Sequence, residues 1–185
     1  SRGLGDVYKR QVYSMVVLIP LALQTIVLVR TLSDQHGMFY ALVCVFSAWI
    51  PDAGAFFAGK LFGKHKLCPE ISPKKTVEGA IGGLLGGVIG MTVFKLVADS
   101  MAHTLTVYLP IEMAAGPQIS WGAVFALGII GSTISQIGDL SFSVIKREFG
   151  VKDYGNLLPG HGGILDRFDS VTFVAPFVWL ALQLL

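Results

Sequence analysis

Charge is what this chain has least of. Only 14% of its 185 residues are Asp, Glu, Lys or Arg, against about 25% in ordinary soluble domains. With 53% hydrophobic residues and a mean hydropathy of +0.66, a water-soluble globular domain is excluded. Cysteine is scarce too. Cys44 and Cys68 make neither a metal-type spacing nor a disulfide framework, and read as small buried or interfacial thiols. Strict alternation of apolar and polar residues is missing. The apolar runs are long and continuous, which excludes the strands of an outer-membrane barrel. A net charge of +2 points to no particular partner, and no nucleic-acid partner is expected.

What is there is a set of apolar runs long enough for a hydrocarbon core of roughly 30 Å. The predicted fold class is all-α, a polytopic transmembrane helical bundle with about five spans. They run from about Val12 to Val29, Met38 to Phe62, Val77 to Val97, Ile119 to Ile145 and Ser170 to Leu185. Thr104 to Leu109 is too short to span and reads as an interfacial stretch. Residues 1–11 (Ser1 to Gln11) are polar, lack an apolar period and join abruptly to Val12. They read as adapter-derived, non-native sequence and are set aside from fold reasoning. Residues 12–185 are read as a transmembrane catalytic domain truncated at its N-terminus.

Loop charges orient the bundle. Lys60, Lys64, Lys66, Lys74 and Lys75 follow the second span, and Lys146, Arg147, Lys152 and Arg167 follow the fourth. Asp99 to Pro117, between them, holds no Lys or Arg. By the positive-inside rule both basic loops are cytoplasmic, and a five-span count also puts them on one side. Arg30 and Lys95 fall near the outer ends, where they can snorkel. Gly79, Gly82, Gly83, Gly86, Gly87 and Gly90 recur every three or four residues in the third span. Such a stripe lets helix backbones approach closely in lipid.

Polar residues inside or beside the spans are the functional candidates. Asp52 lies within the second span, next to Pro51, and an intramembrane carboxylate is costly without a role. Ser135, Asp139 and Ser143 are spaced by four and share one helical face, an oxygen set suited to a hard cation such as Mg²⁺. Asp166 and Asp169 open the last span at i, i+3. Alone they fit a helix dipole; beside Asp139 in a Lys- and Arg-rich region they read as carboxylates sharing metal ions. Gly160-His161-Gly162-Gly163 precedes a helix, where free N–H groups favour phosphate. His161 either donates to such a phosphate or braces the loop. Thr76 is an expected N-cap, and Lys74 and Lys75 before it face either a triphosphate or lipid headgroups.

Three stretches carry a family resemblance: Ser143-x-Ile145-Lys146-Arg147, then Lys152-Asp153-x-Gly155, then Leu158-Pro159-x-His161-Gly162-Gly163-Ile164-x-Asp166-Arg167-Phe168-Asp169. Together they resemble the signature of the phosphatidate cytidylyltransferases (CDP-diacylglycerol synthases). Asp52 to Lys60 and Ser72 to Gly79 resemble further family segments. The likeness covers about Val12 to Leu185, and family members carry additional N-terminal spans. It implies transfer of CMP from CTP to phosphatidate, releasing pyrophosphate, in phospholipid biosynthesis. It also implies Mg²⁺ with K⁺ as a second cation, a homodimer, and a multi-pass protein of the cell (inner) membrane with its active site on the cytoplasmic side.

By position, Asp139, Ser143, Asp166 and Asp169 match the family's metal ligands. The assignment expected from that match places Asp139 and Asp166 on Mg²⁺, and Asp169 with Ser143 on the second cation. Lys146, Arg147, Lys152 and Arg167 bind phosphates, Lys146 and Arg147 as part of the catalytic set with the three aspartates. Asp52, Lys60, Lys74, Lys75 and Glu78 shape the nucleotide or lipid pocket, with Asp153, His161, Gly162 and Gly163 also on the substrate. The alternatives are a related CTP-dependent isoprenoid-lipid transferase or kinase, an ion-coupled transporter suggested by Asp52 and Asp139 within spans, and a non-catalytic remnant.

Overall fold

The computed structural model describes residues 2–33, 36–108, 119–148, 150 and 165–184, with side chains from residue 16 onward and up to residue 100 in the third helix. Five helices follow one another: α1 Arg2–Thr31, α2 Gly37–Phe62, α3 Val77–Tyr108, α4 Trp121–Glu148 and α5 Leu165–Leu184. α2, α3 over Val77–Ser100, and α4 are long and apolar enough to cross a membrane, with mean hydropathies of 1.6, 1.8 and 1.4. α1 contributes a shorter apolar helix, Val16–Thr31. The molecule is a helical membrane bundle.

Two expectations are corrected. Thr104 to Tyr108 is not a separate element but the end of α3. No Gly or Pro interrupts the chain between Gly90 and Pro110, so nothing there stops helix propagation. The connection after α2 is also not plain loop. Strands β1 Lys66–Cys68 and β2 Ser72–Thr76 pair antiparallel, Lys66 opposite Thr76 and Cys68 opposite Ser72. The intervening turn begins with Pro69, and Pro73 is tolerated because a two-stranded ribbon has only edges. So small a hairpin is marginal alone, and α3 holds it. Val77 N–H donates to the His65 carbonyl at 2.9 Å. Glu78 accepts from the Lys64 and His65 amides at 3.1 and 3.2 Å, and its Oε1 lies 2.6 Å from His65 Nδ1. Thr76 is the expected N-cap, its Oγ1 accepting from the Gly79 amide at 3.1 Å, a contact of about 1 kcal/mol.

The core is built unevenly. Val29 of α1, Val43, Cys44 and Ala48 of α2, Val124 and Leu127 of α4, and Val171, Val174, Ala175 and Val178 of α5 are buried together, while α3 adds only Met91. α3 packs through its glycines instead. A methyl group on Gly86 would lie 3.2 Å from Gly54 Cα of α2, and one on Gly128 of α4 would lie 2.9 Å from Val88 Cα. Backbone contact of this kind leaves no room for side chains. The opposite stripe of α3, Ile81, Leu85, Ile89 and Val93, is exposed at the four-residue spacing of one helical face. α2 runs unbroken through Pro51, and both cysteines are free.

Candidate active site

The polar residues of the spans gather where α2, α4 and α5 meet. Asp52 of α2 accepts from Ser135 Oγ of α4 at 3.0 Å and from Ser170 Oγ of α5 at 2.6 Å. Ser135 Oγ also reaches the Ala48 carbonyl at 3.2 Å. One carboxylate therefore fastens three helices, which is how a polar group is tolerated at that depth. Ser170 continues the network: its amide donates to Asp169 Oδ1 at 2.8 Å and its hydroxyl lies 3.4 Å from the same oxygen. Asp52, Asp139 and Asp169 are near enough to repel one another electrostatically.

Lysines answer that negative charge. Lys75 Nζ of β2 lies 2.7 Å from Asp139 Oδ2, and Lys146 Nζ lies 3.0 Å from Asp166 Oδ1. The hairpin and α4 are joined again by Arg147, whose Nε donates to the Ile71 carbonyl at 3.1 Å. Basic residues from both basic connections thus meet at one end of the bundle. There a cavity of about 300 Å³ opens between α2, the hairpin, α3 and α4. Asp52, Phe56 and Lys60 line it from α2, Lys74 and Lys75 from β2, and Gln136 and Asp139 from α4.

The sequence-predicted residues divide accordingly. Asp52, Lys60, Lys74, Lys75 and Asp139 share the cavity, whereas Asp166, Asp169, Lys146, Arg147, Arg167 and Glu78 are not in its lining. Glu78 grips the hairpin through His65 and Lys64. Ser143 donates to the Asp139 carbonyl, one turn back on its own helix, at 2.8 Å. The Arg167 carbonyl accepts from Trp49 Nε1 at 3.1 Å. Lys152, Asp153, His161, Gly162 and Gly163 lie outside the described residues. Two residues escaped the sequence reading. Gln136 precedes Asp139 by three positions on the same helical face and bonds the Ala80 carbonyl at 3.1 Å. Ser170 directly follows Asp169, and its neighbour was the only signal for it.

The donor set suits hard cations: aspartate and serine oxygens, with ammonium groups already resting on two of the carboxylates. Among the described residues, no three His, Cys, Asp or Glu side chains converge at metal-ligating distance. The arrangement can do two things chemically. It offers mobile positive charge from lysines to an anionic ligand, and it offers carboxylates to a cation that would take the lysines' place.

Known proteins resemble this chain. The Cytidylyltransferase family matches residues 5–185. A phosphatidate cytidylyltransferase of Bacillus subtilis (strain 168) is 45% identical over 151 residues, 82% of this chain and 50% of that protein. A Staphylococcus aureus (strain COL) protein of the same name is 43% identical over 144 residues, 78% of this chain and 49% of that one. The chain spans about half the length of the curated relatives it matches.

Proposed function

This chain belongs to the Cytidylyltransferase family, and from that premise we propose that it forms the catalytic part of a phosphatidate cytidylyltransferase. The reaction joins CTP and phosphatidate to give CDP-diacylglycerol and pyrophosphate. A phosphatidate phosphate oxygen attacks the α-phosphorus of CTP, and the bond from that phosphorus to the α–β bridging oxygen breaks as pyrophosphate leaves. The nucleophile is already anionic and asks little of a general base. The difficulty is bringing two polyanions together, so positioning and electrostatics dominate.

The observation that carries the reading is the Lys75–Asp139 pair at 2.7 Å in a cavity that also holds Lys60 and Lys74. On that reading Lys75 leaves Asp139 for a substrate phosphate, and Lys146, Arg147, Lys152 and Arg167 add further positive charge. Asp139, Ser143, Asp166 and Asp169 would hold Mg²⁺ and a second cation, K⁺, which supply charge against the triphosphate. His161, Gly162 and Gly163, with Asp153, complete the substrate side. Asp52 fixes the helices that carry these groups, and Glu78 fixes the hairpin.

The protein would work as a homodimer in the cell membrane with this end of the bundle at the cytoplasmic face, where CTP is dissolved and the lipid headgroup lies. The test is direct. Membranes holding the complete reading frame are incubated with labelled CTP, phosphatidate and Mg²⁺. Labelled CDP-diacylglycerol is expected, with phosphatidate outcompeting isoprenoid acceptors. Absence of that product from a folded, complete protein removes the proposal.

A further inference from the structure

Trp49 stands in the wrong place for a membrane-surface anchor. Trp121, 45% exposed, is the first residue of α4, and tryptophans at helix ends sit at the membrane surface with the polar N–H toward water. Trp49 is just as exposed, at 45%, yet lies near the middle of α2, which runs Gly37–Phe62. At that depth lipid offers the N–H no acceptor, so the protein has to supply one.

The acceptor comes from the first turn of α5. Trp49 Nε1 donates to the Arg167 carbonyl at 3.1 Å, and the ring packs beside Phe168, centroids 6.1 Å apart. A helical carbonyl keeps a second lone pair for such a donor. Asp166 and Asp169, the carboxylates that the proposed reading gives to cations, stand on either side of Arg167 and Phe168. A second tie lies one turn away on both helices. Asp52, three residues after Trp49, accepts from Ser170 Oγ, three residues after Arg167, at 2.6 Å. Residues three apart share a helical face, so both ties join the same face of α2 to the same face of α5.

One tie alone leaves α5 a pivot about which to roll; two, a turn apart, do not. On a helix about 10–12 Å across, a roll of about 20° carries a side-chain tip about 2 Å. Misplacement of about 1 Å can cost roughly 10²-fold in rate. Trp49 is not in the cavity lining, so its influence on the site passes through α5. A half-exposed ring adds less packing than a buried one, which leaves the N–H as its distinctive contribution.

We propose that Trp49 is a positioning residue: its indole N–H, with the Asp52–Ser170 bond, sets the rotation of the first turn of α5 and so the direction of the Asp166 and Asp169 carboxylates. The inference rests on the proposed function and adds to it a residue outside the cavity.

The experiment uses the complete reading frame in detergent. Trp49 is replaced by benzothienylalanine, which keeps the bicyclic shape but has sulfur where the N–H was; Trp49→Phe is the second variant. In the labelled-CTP assay kcat should fall roughly tenfold, the factor by which one lost hydrogen bond repopulates unproductive rotations. The KM for CTP and for phosphatidate should each hold within about twofold. A merely structural role would reduce the folded yield and leave kcat per folded molecule alone. Parent-like kcat in the folded isostere variant overturns the proposal, and so does a loss carried by KM. The second readout needs no turnover. In two-dimensional N–H spectra the Trp49 indole signal is assigned by its absence from either variant. Its proton should lie downfield, as that of a hydrogen-bonded indole does, and should shift in Ser170→Ala more than those of Trp121 and Trp179. An upfield proton, or one indifferent to Ser170→Ala, overturns the clamp. If the parent makes no CDP-diacylglycerol while the indole signal behaves as expected, the tie stands and the proposed reaction falls. If the parent makes product and the isostere variant matches it, the reaction stands and the positioning role falls.

Discussion

Two lysine–aspartate pairs stand at one end of this bundle, and they are built differently. Lys146–Asp166 joins α4 to α5, helix to helix, with side chains only 13% and 8% exposed. Lys75–Asp139 joins a two-stranded hairpin to α4, with side chains 24% and 32% exposed, and it alone of the two lines the cavity. Asp139 and Lys146 are seven residues apart on α4, about 10 Å along its axis. The more enclosed pair opens less readily than the other. The half-open pair sits on the element least able to stand alone, so its lysine can change partners. On the proposed reading, reactivity lies where the framework is looser and the more enclosed tie lies two helical turns away.

Stability should separate the pairs most sharply. Lys146→Met removes the ammonium from a carboxylate that is only 8% exposed and should cost about 1–3 kcal/mol. Lys75→Met, whose partner remains partly solvated, should cost no more than about 1 kcal/mol. Thermal or denaturant unfolding in detergent measures both, and equal losses would mean that the two pairs are energetically alike.

Turnover should then fall in both aspartate variants but for separable reasons. Asp139→Asn should lower CDP-diacylglycerol formation by roughly 10²–10³-fold, the scale of one removed electrostatic contact, with little change in unfolding midpoint. Asp166→Asn should lose comparable activity and stability together. Near-normal turnover in Asp139→Asn would take the cavity out of the reaction.

The smallest effect sharpens the role of the hairpin. Glu78→Ala removes the contacts to the Lys64 and His65 amides and to His65 Nδ1. The CTP KM should rise roughly three- to tenfold, the scale of lost hydrogen bonds, and trypsin should cut sooner at Lys64 and Lys66. His65→Ala removes only the ring contact and should do less. Unchanged proteolysis in Glu78→Ala would mean the hairpin is held by other contacts.

The helices were legible because lipid demands long apolar runs, and the glycine stripe of α3 announced close packing before any contact was known. Thr76 could be read as a cap because capping is local. The hairpin could not be read: strands of three and five residues with an internal proline carry no usable alternation, and contacts that hold them come from Glu78, Asp139 and Arg147, outside both strands. Asp139 and Asp52 stood out as carboxylates in apolar runs. That Asp52 would spend both oxygens on Ser135 and Ser170, from two other helices, did not, since serine is unremarkable on a helix. Gln136 went unnoticed for the same reason.

Composition and periodicity by themselves determined that this chain lives in a membrane as helices, and that most of its basic charge collects at one end, because burying backbone and side-chain polarity in hydrocarbon leaves few alternatives. Which lysine meets which aspartate was decided only by the tertiary structure. Lys75 and Asp139 are separated by 63 residues, and their meeting depends on how closely glycines let α2, α3 and α4 approach. That distance is a property of packed backbones and is not written in any local pattern.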